Sequence, residues 1–252
     1  MPLQATAAYS INRELREPGD PRYRYFETRN KLYLIAEAGA ADTYGQTAPF
    51  TVRTVAFGSI PVVATLRLAQ RRTAADLPVP FDVVTYDEGW PEPLKPAGWV
   101  TAHRYYDAQL QDEIDLVIET VRIDGVDLRL RPGCRTATHA TLDLVGKGWF
   151  RGDPNDPVDE DDPGASGHYA AGSGGVITGT IDIPSFSSCR TPSGEDISPL
   201  LSSTVSGPGN EVVLTVGTPL CPLPPLGGYD ARKHCDASNL PTTELTIPPQ
   251  QF

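Results

Sequence analysis

The sequence lacks long apolar runs and contains little sulfur. No stretch of about 18 apolar residues occurs, so we expect no membrane-spanning segment. The 252 residues include 1 methionine and 4 cysteines. The N-terminus carries no basic segment followed by an apolar one, which predicts a chain that does not direct its own export.

Basic residues are also scarce. The chain has 21 Lys and Arg against 32 Asp and Glu, for a net charge of −11. Residues 1–135 hold 16 basic and 18 acidic side chains, and the remaining residues hold 5 and 14. An acidic surface repels phosphate backbones, and no basic cluster with interleaved aromatic residues offsets this charge. We therefore expect no nucleic-acid partner.

Local catalytic motifs are missing as well. The sequence has no G-x-S-x-G elbow, no H-E-x-x-H helix, no P-loop and no dinucleotide fingerprint. The sequence predicts no catalytic residues and no organic cofactor. A carbohydrate-active or other hydrolase stays an alternative, because catalytic groups can assemble from distant positions. The histidines available for such a site are His103, His139, His168 and His234.

What the sequence does have is turn residues and alternating apolar residues. It contains 23 Gly and 25 Pro, spread along the chain as turn positions. From Ile60 to Leu68 every second residue is apolar, which is typical of a half-buried strand, and five further segments alternate similarly. Asp124-Gly125 predicts a two-residue hairpin turn. We expect an all-β fold, an antiparallel β-sandwich, either one domain or two abutting subdomains.

One short helix and two terminal arms complete the predicted organisation. Ser198 can cap a helix whose first position is Pro199, and this helix should last one or two turns. Pro18 and Pro21 interrupt the polar N-terminal segment, and the C-terminal segment is Pro-rich. The predicted divisions are an N-terminal arm over 1–30, a β subdomain with an aromatic loop over 31–135, a β subdomain with an acidic loop over 136–221, and a Pro-rich tail over 222–252.

The four cysteines are well separated and form no C-x-x-C pair. An even number of such cysteines in a loop-rich β chain favours two disulfides in an oxidising compartment, with four free buried thiols as the alternative. The expected pairings are Cys189 with Cys221 and Cys134 with Cys235.

Two segments carry candidate binding chemistry. The acidic stretch RGDPNDPVDEDDPG offers hard oxygen ligands at alternating positions, as Ca²⁺ prefers, although its spacing matches no EF-hand. A solvated acidic loop is the alternative. Trp90 and Trp99 stand in an aromatic segment that can form a sugar platform or simply pack into the core. The candidate calcium ligands are Asp153, Asn155, Asp156, Asp159 and Asp161.

Several motifs in the C-terminal half carry a resemblance. The segment VRIDGVDLRLRPGCRTA is followed by TGTIDIPSFSSC, GEDISPLL and SGPGN, in this order. In that order they resemble segments of uncharacterised actinobacterial secreted or surface proteins, over residues 110–221. Related sequences also resemble virion proteins of phages of these hosts. The resemblance implies a β-sandwich outside the cytoplasm and no particular activity.

The N-terminus predicts no export signal, whereas the cysteines predict an oxidising compartment. A virion protein is consistent with both predictions. Such a protein is made without a signal and meets an oxidising medium after lysis. The leading hypothesis is therefore a non-enzymatic virion component of the tail or capsid-decoration type. Its partners would be copies of itself or other assembly subunits, with a host-surface glycan as a further partner. The alternative is a secreted cell-envelope or adhesion protein, so the expected location is extracellular or virion.

Overall fold

A computed structural model describes residues 2–36, 44–56, 58–99, 101–155, 157–158 and 163–217. The described residues form fifteen strands and one α-helix, which confirms the all-β class. In chain order the elements are β1 (Pro2–Glu14), β2 (Arg24–Leu34), β3 (Phe50–Ala56), β4 (Ile60–Gln70), β5 (Phe81–Gly89), β6 (His103–Tyr105), β7 (Ala108–Ile123), β8 (Val126–Asp127), β9 (Arg135–Thr136), β10 (Ala140–Gly146), β11 (Trp149–Phe150), β12 (Tyr169–Ala170), β13 (Gly174–Ile183), β14 (Phe186–Ser187), α1 (Ser198–Val205) and β15 (Gly207–Gly217).

Seven strands close into a barrel. Their order is β5, β2, β1, β15, β13, β10 and β7, and β7 returns to β5 through the pairs Val83–Leu110 and Val84–Gln109. Among the described strands the pairings are antiparallel except for β1 with β15, which run parallel. The expected sandwich of two facing sheets is thus replaced by a closed barrel, and closure leaves the barrel strands without free edges.

The first strand lies where an N-terminal arm was expected. β1 is inserted between β15 and β2, and the side chains of Leu3 and Ala5 are buried in the barrel. The register skips Ala8, so the inward positions change from odd numbers to even ones and Ser10 becomes buried. This bulge hides the strand from a search for strict alternation, because the apolar period is broken in its middle.

β7 belongs to two parts of the molecule. Its first half pairs with β10 and β5 in the barrel, whereas residues 114–123 pair with β4 on one side and with β8 and β9 on the other. β3 extends this second sheet beyond β4, and β14 extends it beyond β9. We call the second half of β7 together with β3, β4, β8, β9, β14 and α1 the annex.

Helix α1 spans the gap between the two ends of the annex sheet. The Thr54 hydroxyl of β3 donates to the Thr204 carbonyl, 3.4 Å away, and the backbone N–H of Phe186 in β14 donates to the Ser202 hydroxyl at 2.8 Å. The predicted helix is confirmed, but Ser198 does not cap it. Ile197 holds the N-cap position, and the Ser198 hydroxyl instead accepts the Cys189 backbone N–H at 3.1 Å.

A disulfide joins Cys134 to Cys189 in the annex. Both expected pairings are therefore wrong, because β9 pairs with β14 and brings these two cysteines together. Cys221 and Cys235 lie outside the described residues. The loop closed by the bond has a sequence separation of 55 residues.

Other local expectations hold. Asp124 and Gly125 adopt φ values of 47° and 79°, as a two-residue turn requires, and Ile123 pairs with Val126 across it. The barrel takes strands from both sides of residue 135, and the division into subdomains stays a prediction. One continuous core fills the barrel and the annex, and its largest fully buried side chains are Phe81, Leu32, Leu34, Leu66, Leu68, Leu110, Ile114, Leu116, Leu142, Leu144, Ile177 and Ile181.

Candidate functional site

Aromatic and charged side chains concentrate where β2, β5, β6 and β11 lie side by side. The register aligns Tyr25, Glu88, Arg104 and Phe150 in one row across these four strands. The next row is Phe26, Asp87, Tyr105 and Trp149. Successive side chains of a strand point to opposite faces, so the first row lies on the outside and the second faces the barrel interior. We call the first row with its neighbours the outer face, and the second row with its neighbours the inner face.

Glu88 is the hub of the outer face, although it is only 8% exposed. Its carboxylate accepts hydrogen bonds from the Arg22 guanidinium at 3.1 Å, from the Trp90 indole N–H at 2.9 Å and from the Tyr106 hydroxyl at 2.6 Å. Burial and the bond to Glu88 raise the pKa of Tyr106 to about 12. These bonds attach three segments to one buried carboxylate: the connection before β2, the residue after β5 and the residue after β6.

Arg22 links the hub to the connection between β1 and β2. Its guanidinium lies 3.7 Å from the centre of the Tyr25 ring and donates to both carboxylate oxygens of Asp20. These hydrogen bonds lower the pKa of Asp20 to about 2. Next to them opens a cavity of about 540 Å³, which falls in the usual size range of ligand pockets. Its lining is Leu15, Glu17, Pro18, Asp20, Pro21, Arg22, Tyr25 and Trp90.

Arg104 organises the other half of the outer face. Its guanidinium carbon lies 4.5 Å from the centre of the Tyr106 ring and 4.6 Å from that of Phe150. Trp99 packs edge-to-face on Phe150 at 5.6 Å between ring centres. The two tryptophans marked by the sequence thus lie on separate parts of this face, Trp90 at the cavity and Trp99 at the rim of β11.

The inner face centres on Asp87. Burial raises the pKa of this carboxyl, but the hydrogen bonds from Arg24, together with the nearby His103 ring, outweigh burial, and the pKa is lowered. The Arg24 Nη2 donates to Asp87 at 2.8 Å, and the Tyr105 ring stacks on Trp149 at 4.3 Å between centres. The Asp87 carboxylate is therefore held in its charged form beside a stacked aromatic pair.

The Tyr23 ring occupies the space beside Gly89 at the end of β5. A Cβ at this position would lie 2.5 Å from the Cζ of the Tyr23 ring, which covers the glycine and meets His103 edge-to-face. The Tyr23 backbone N–H donates to the Gly89 carbonyl at 3.0 Å. The connection before β2 is thereby docked against β5.

Deeper in the barrel a polar network replaces apolar packing. The Ser10 hydroxyl donates to the Asn30 side-chain oxygen at 2.5 Å, and the Asn30 amide donates to the Tyr169 hydroxyl at 2.7 Å. Burial raises the pKa of Tyr169. One end of the barrel interior is thus polar, whereas the annex around Leu66 and Leu116 is apolar.

The histidines occupy different settings. His103 lies 3.9 Å from Asp87. His139, in the connection before β10, contacts Asp115 at 2.7 Å. His168 is buried and lies just before β12 in the chain. His234 lies outside the described residues. The carboxylate near His103 is that of Asp87 on β5.

The acidic loop is described only in part. The Asn155 backbone N–H donates to the Asp153 carboxylate at 2.8 Å, while Asp156, Asp159 and Asp161 lie outside the described residues. Among the residues that the structure describes, no three His, Cys, Asp or Glu side chains are grouped to hold a metal ion. Calcium binding stays a prediction.

Sequence reasoning found the two tryptophans but missed the charged residues that hold them. The segment RYRYFE, in which basic and aromatic residues alternate, carried a usable signal, because it holds Arg22 of the outer face and Arg24 of the inner face. No helix in the described ranges is long and apolar enough to cross a membrane. Comparison with protein-family models, with curated proteins and with solved structures finds no match to this chain.

Proposed function

We propose that this chain is a non-enzymatic structural and binding protein, and that it serves as a virion component of the tail or capsid-decoration type of an actinobacterial phage. The observation that supports a binding role best is the fixed charge of the outer and inner faces. Several of their ionisable groups are paired in ways that move their pKa values away from neutral pH.

General acids and bases work best when their pKa lies near the working pH. Here the pKa of Asp20 is lowered to about 2 by Arg22, and the pKa of Tyr106 is raised to about 12 by burial and Glu88. The pKa of Glu27 is lowered by its hydrogen bond from Arg29, and that of Arg24 is raised by Asp87. A surface with constant charge suits docking better than proton transfer.

The virion assignment draws its support from the motif resemblance in residues 110–221 and from the paired cysteines. A disulfide between Cys134 and Cys189 is compatible with a protein that meets an oxidising medium. The same bond is compatible with a secreted cell-envelope or adhesion protein, which is the second candidate.

Fractionation of a producing culture separates these candidates. Particles banded on a density gradient and washed in high salt should retain the chain at a fixed ratio to the major capsid protein, measured by mass spectrometry. Recovery only from the cell envelope or the free medium would refute the virion assignment and favour the second candidate.

Two assays on the purified chain complete the test. Sedimentation velocity should show association that grows with concentration, and a stable monomer at every concentration counts against an assembly role. Product release from host cell walls that is abolished by Asp87→Asn, with the fold retained, would instead establish a hydrolase.

A further inference from the structure

The cavity beside Trp90 has walls that differ in chemistry and are held in place by hydrogen bonds. It is bounded by the connection between β1 and β2 on one side and by Trp90 on the other. The connection is fixed at both ends, because the Leu15 N–H donates to the Tyr25 carbonyl at 2.9 Å and the Tyr23 N–H donates to Gly89. Pro18 and Pro21 stiffen it further. The cavity is thus shaped before any ligand arrives, which reduces the entropy lost on binding.

Trp90 forms a fixed and partly exposed wall. Its indole N–H is held by Glu88 at 2.9 Å, and its backbone N–H donates to the Ala102 carbonyl at 2.7 Å. The ring therefore offers an oriented apolar surface rather than a free donor. A flat apolar surface of this kind packs against ligands that present C–H groups.

The polar groups at the cavity include both signs of charge. Glu17 is an exposed carboxylate on the rim, and Asp20 and Arg22 form an ion pair at 2.5 Å next to the Tyr25 ring. An anionic ligand would face two carboxylates, and a cationic ligand would face the Arg22 guanidinium. A neutral ligand with many hydroxyls can donate to the acids and accept from Arg22 without either conflict.

We propose that this cavity binds a neutral sugar unit of a glycan, with one sugar face on the Trp90 indole and its hydroxyls on Glu17 and the Asp20–Arg22 pair. The volume of about 540 Å³ accommodates a small oligosaccharide end. This inference deepens the proposed binding role and holds for a virion protein and for an envelope protein alike.

The test uses the purified full chain on a printed array of neutral, sialylated and sulfated oligosaccharides, followed by calorimetry with the neutral oligosaccharide retained most strongly. Retention should favour neutral glycans over their sialylated and sulfated forms. Trp90→Ala should weaken binding by at least about tenfold, since it removes the central apolar contact. Glu17→Ala, which alters only an exposed side chain and should fold normally, should weaken binding by about threefold.

Trp99→Ala is the matched control, because Trp99 packs on Phe150 away from the cavity and should leave affinity unchanged. Absence of any retained neutral glycan, preference for charged glycans, or equal losses in Trp90→Ala and Trp99→Ala would overturn the proposal. The particle fractionation is scored separately, so failure of the glycan site and failure of the virion assignment give different results.

Discussion

The annex and the charged end, where β2, β5, β6 and β11 lie side by side, are stabilised in different ways. The annex buries Leu66, Leu116 and the helix residue Leu201 and closes with a disulfide. The other end buries the carboxylates of Asp87 and Glu88 and pairs them with arginines and aromatic hydroxyls. Apolar packing and a covalent bond do not depend on pH between 3 and 7, whereas ion pairs do. We therefore expect one region to be a fixed frame and the other a charged surface whose stability can be tuned.

Removing the disulfide should cause the largest loss of stability, and it should affect the annex more than the charged end. A bond that closes a 55-residue separation restricts the unfolded chain, and chain-entropy arithmetic gives about 4 kcal/mol for its loss in Cys134→Ser with Cys189→Ser. Urea unfolding measures the total loss, and hydrogen exchange should accelerate more in residues 114–123 of β7 than in β2. A loss below about 1 kcal/mol, or equal acceleration in both regions, would contradict the account of the annex.

Leu66→Ala tests the packing of the annex without touching its covalent bond. Leu66 is fully buried on β4, and truncation of such a leucine costs about 3 kcal/mol through lost transfer energy and a residual cavity. Thr120→Ala, at an exposed position of the neighbouring strand, is the control and should change stability by less than about 0.5 kcal/mol. Urea unfolding at pH 7 and at pH 4 should give the same loss for Leu66→Ala, because no charge changes.

The fold was predictable where its signals are local. β4 and β10 show strict alternation, and Asp124-Gly125 forms the expected turn. Barrel closure was not predictable, because it needs residues 2–6 to pair in parallel with residues 213–217, and no local pattern encodes a contact across that separation. The disulfide pairing failed for a related reason, since it depends on β9 meeting β14.

The candidate site was also predictable only in part. Trp90 stood out in the sequence as an aromatic residue that could form a binding platform or pack into the core, and the structure places it at a cavity. The charged partners did not stand out, because Arg24 and Asp87 are 63 positions apart and each alone resembles an ordinary surface residue. Only the register between β2 and β5 shows that they form one buried pair.

Asp87→Asn should destabilise the charged end by about 2 kcal/mol at pH 7, since it leaves the partly buried Arg24 guanidinium without its carboxylate. The folded-state pKa of Asp87 is lowered, so its contribution is present above the unfolded pKa of about 3.9 and is lost as pH falls through the folded pKa. Urea unfolding from pH 5 to pH 2 should therefore show a shallower loss of stability for Asp87→Asn than for the native chain. Leu66→Ala, with its carboxylates intact, should keep the native slope, and an unchanged slope in Asp87→Asn would remove the basis for the comparison.

Arg72→Ala should cause the smallest loss of stability. It tests whether the burial of an ion pair or its charge alone determines how much the pair stabilises the fold. Arg72 pairs with Asp76 at 2.8 Å, but the Asp76 side chain is 86% exposed. Exposed ion pairs contribute little because water and salt screen them, so the loss should be about 0.3 kcal/mol and should shrink further in 0.5 M salt. The same salt should alter the effect of Asp87→Asn less, since the Asp87 side chain is only 9% exposed. If Arg72→Ala proved as costly as Asp87→Asn, the number of charges rather than their burial would distinguish the two regions.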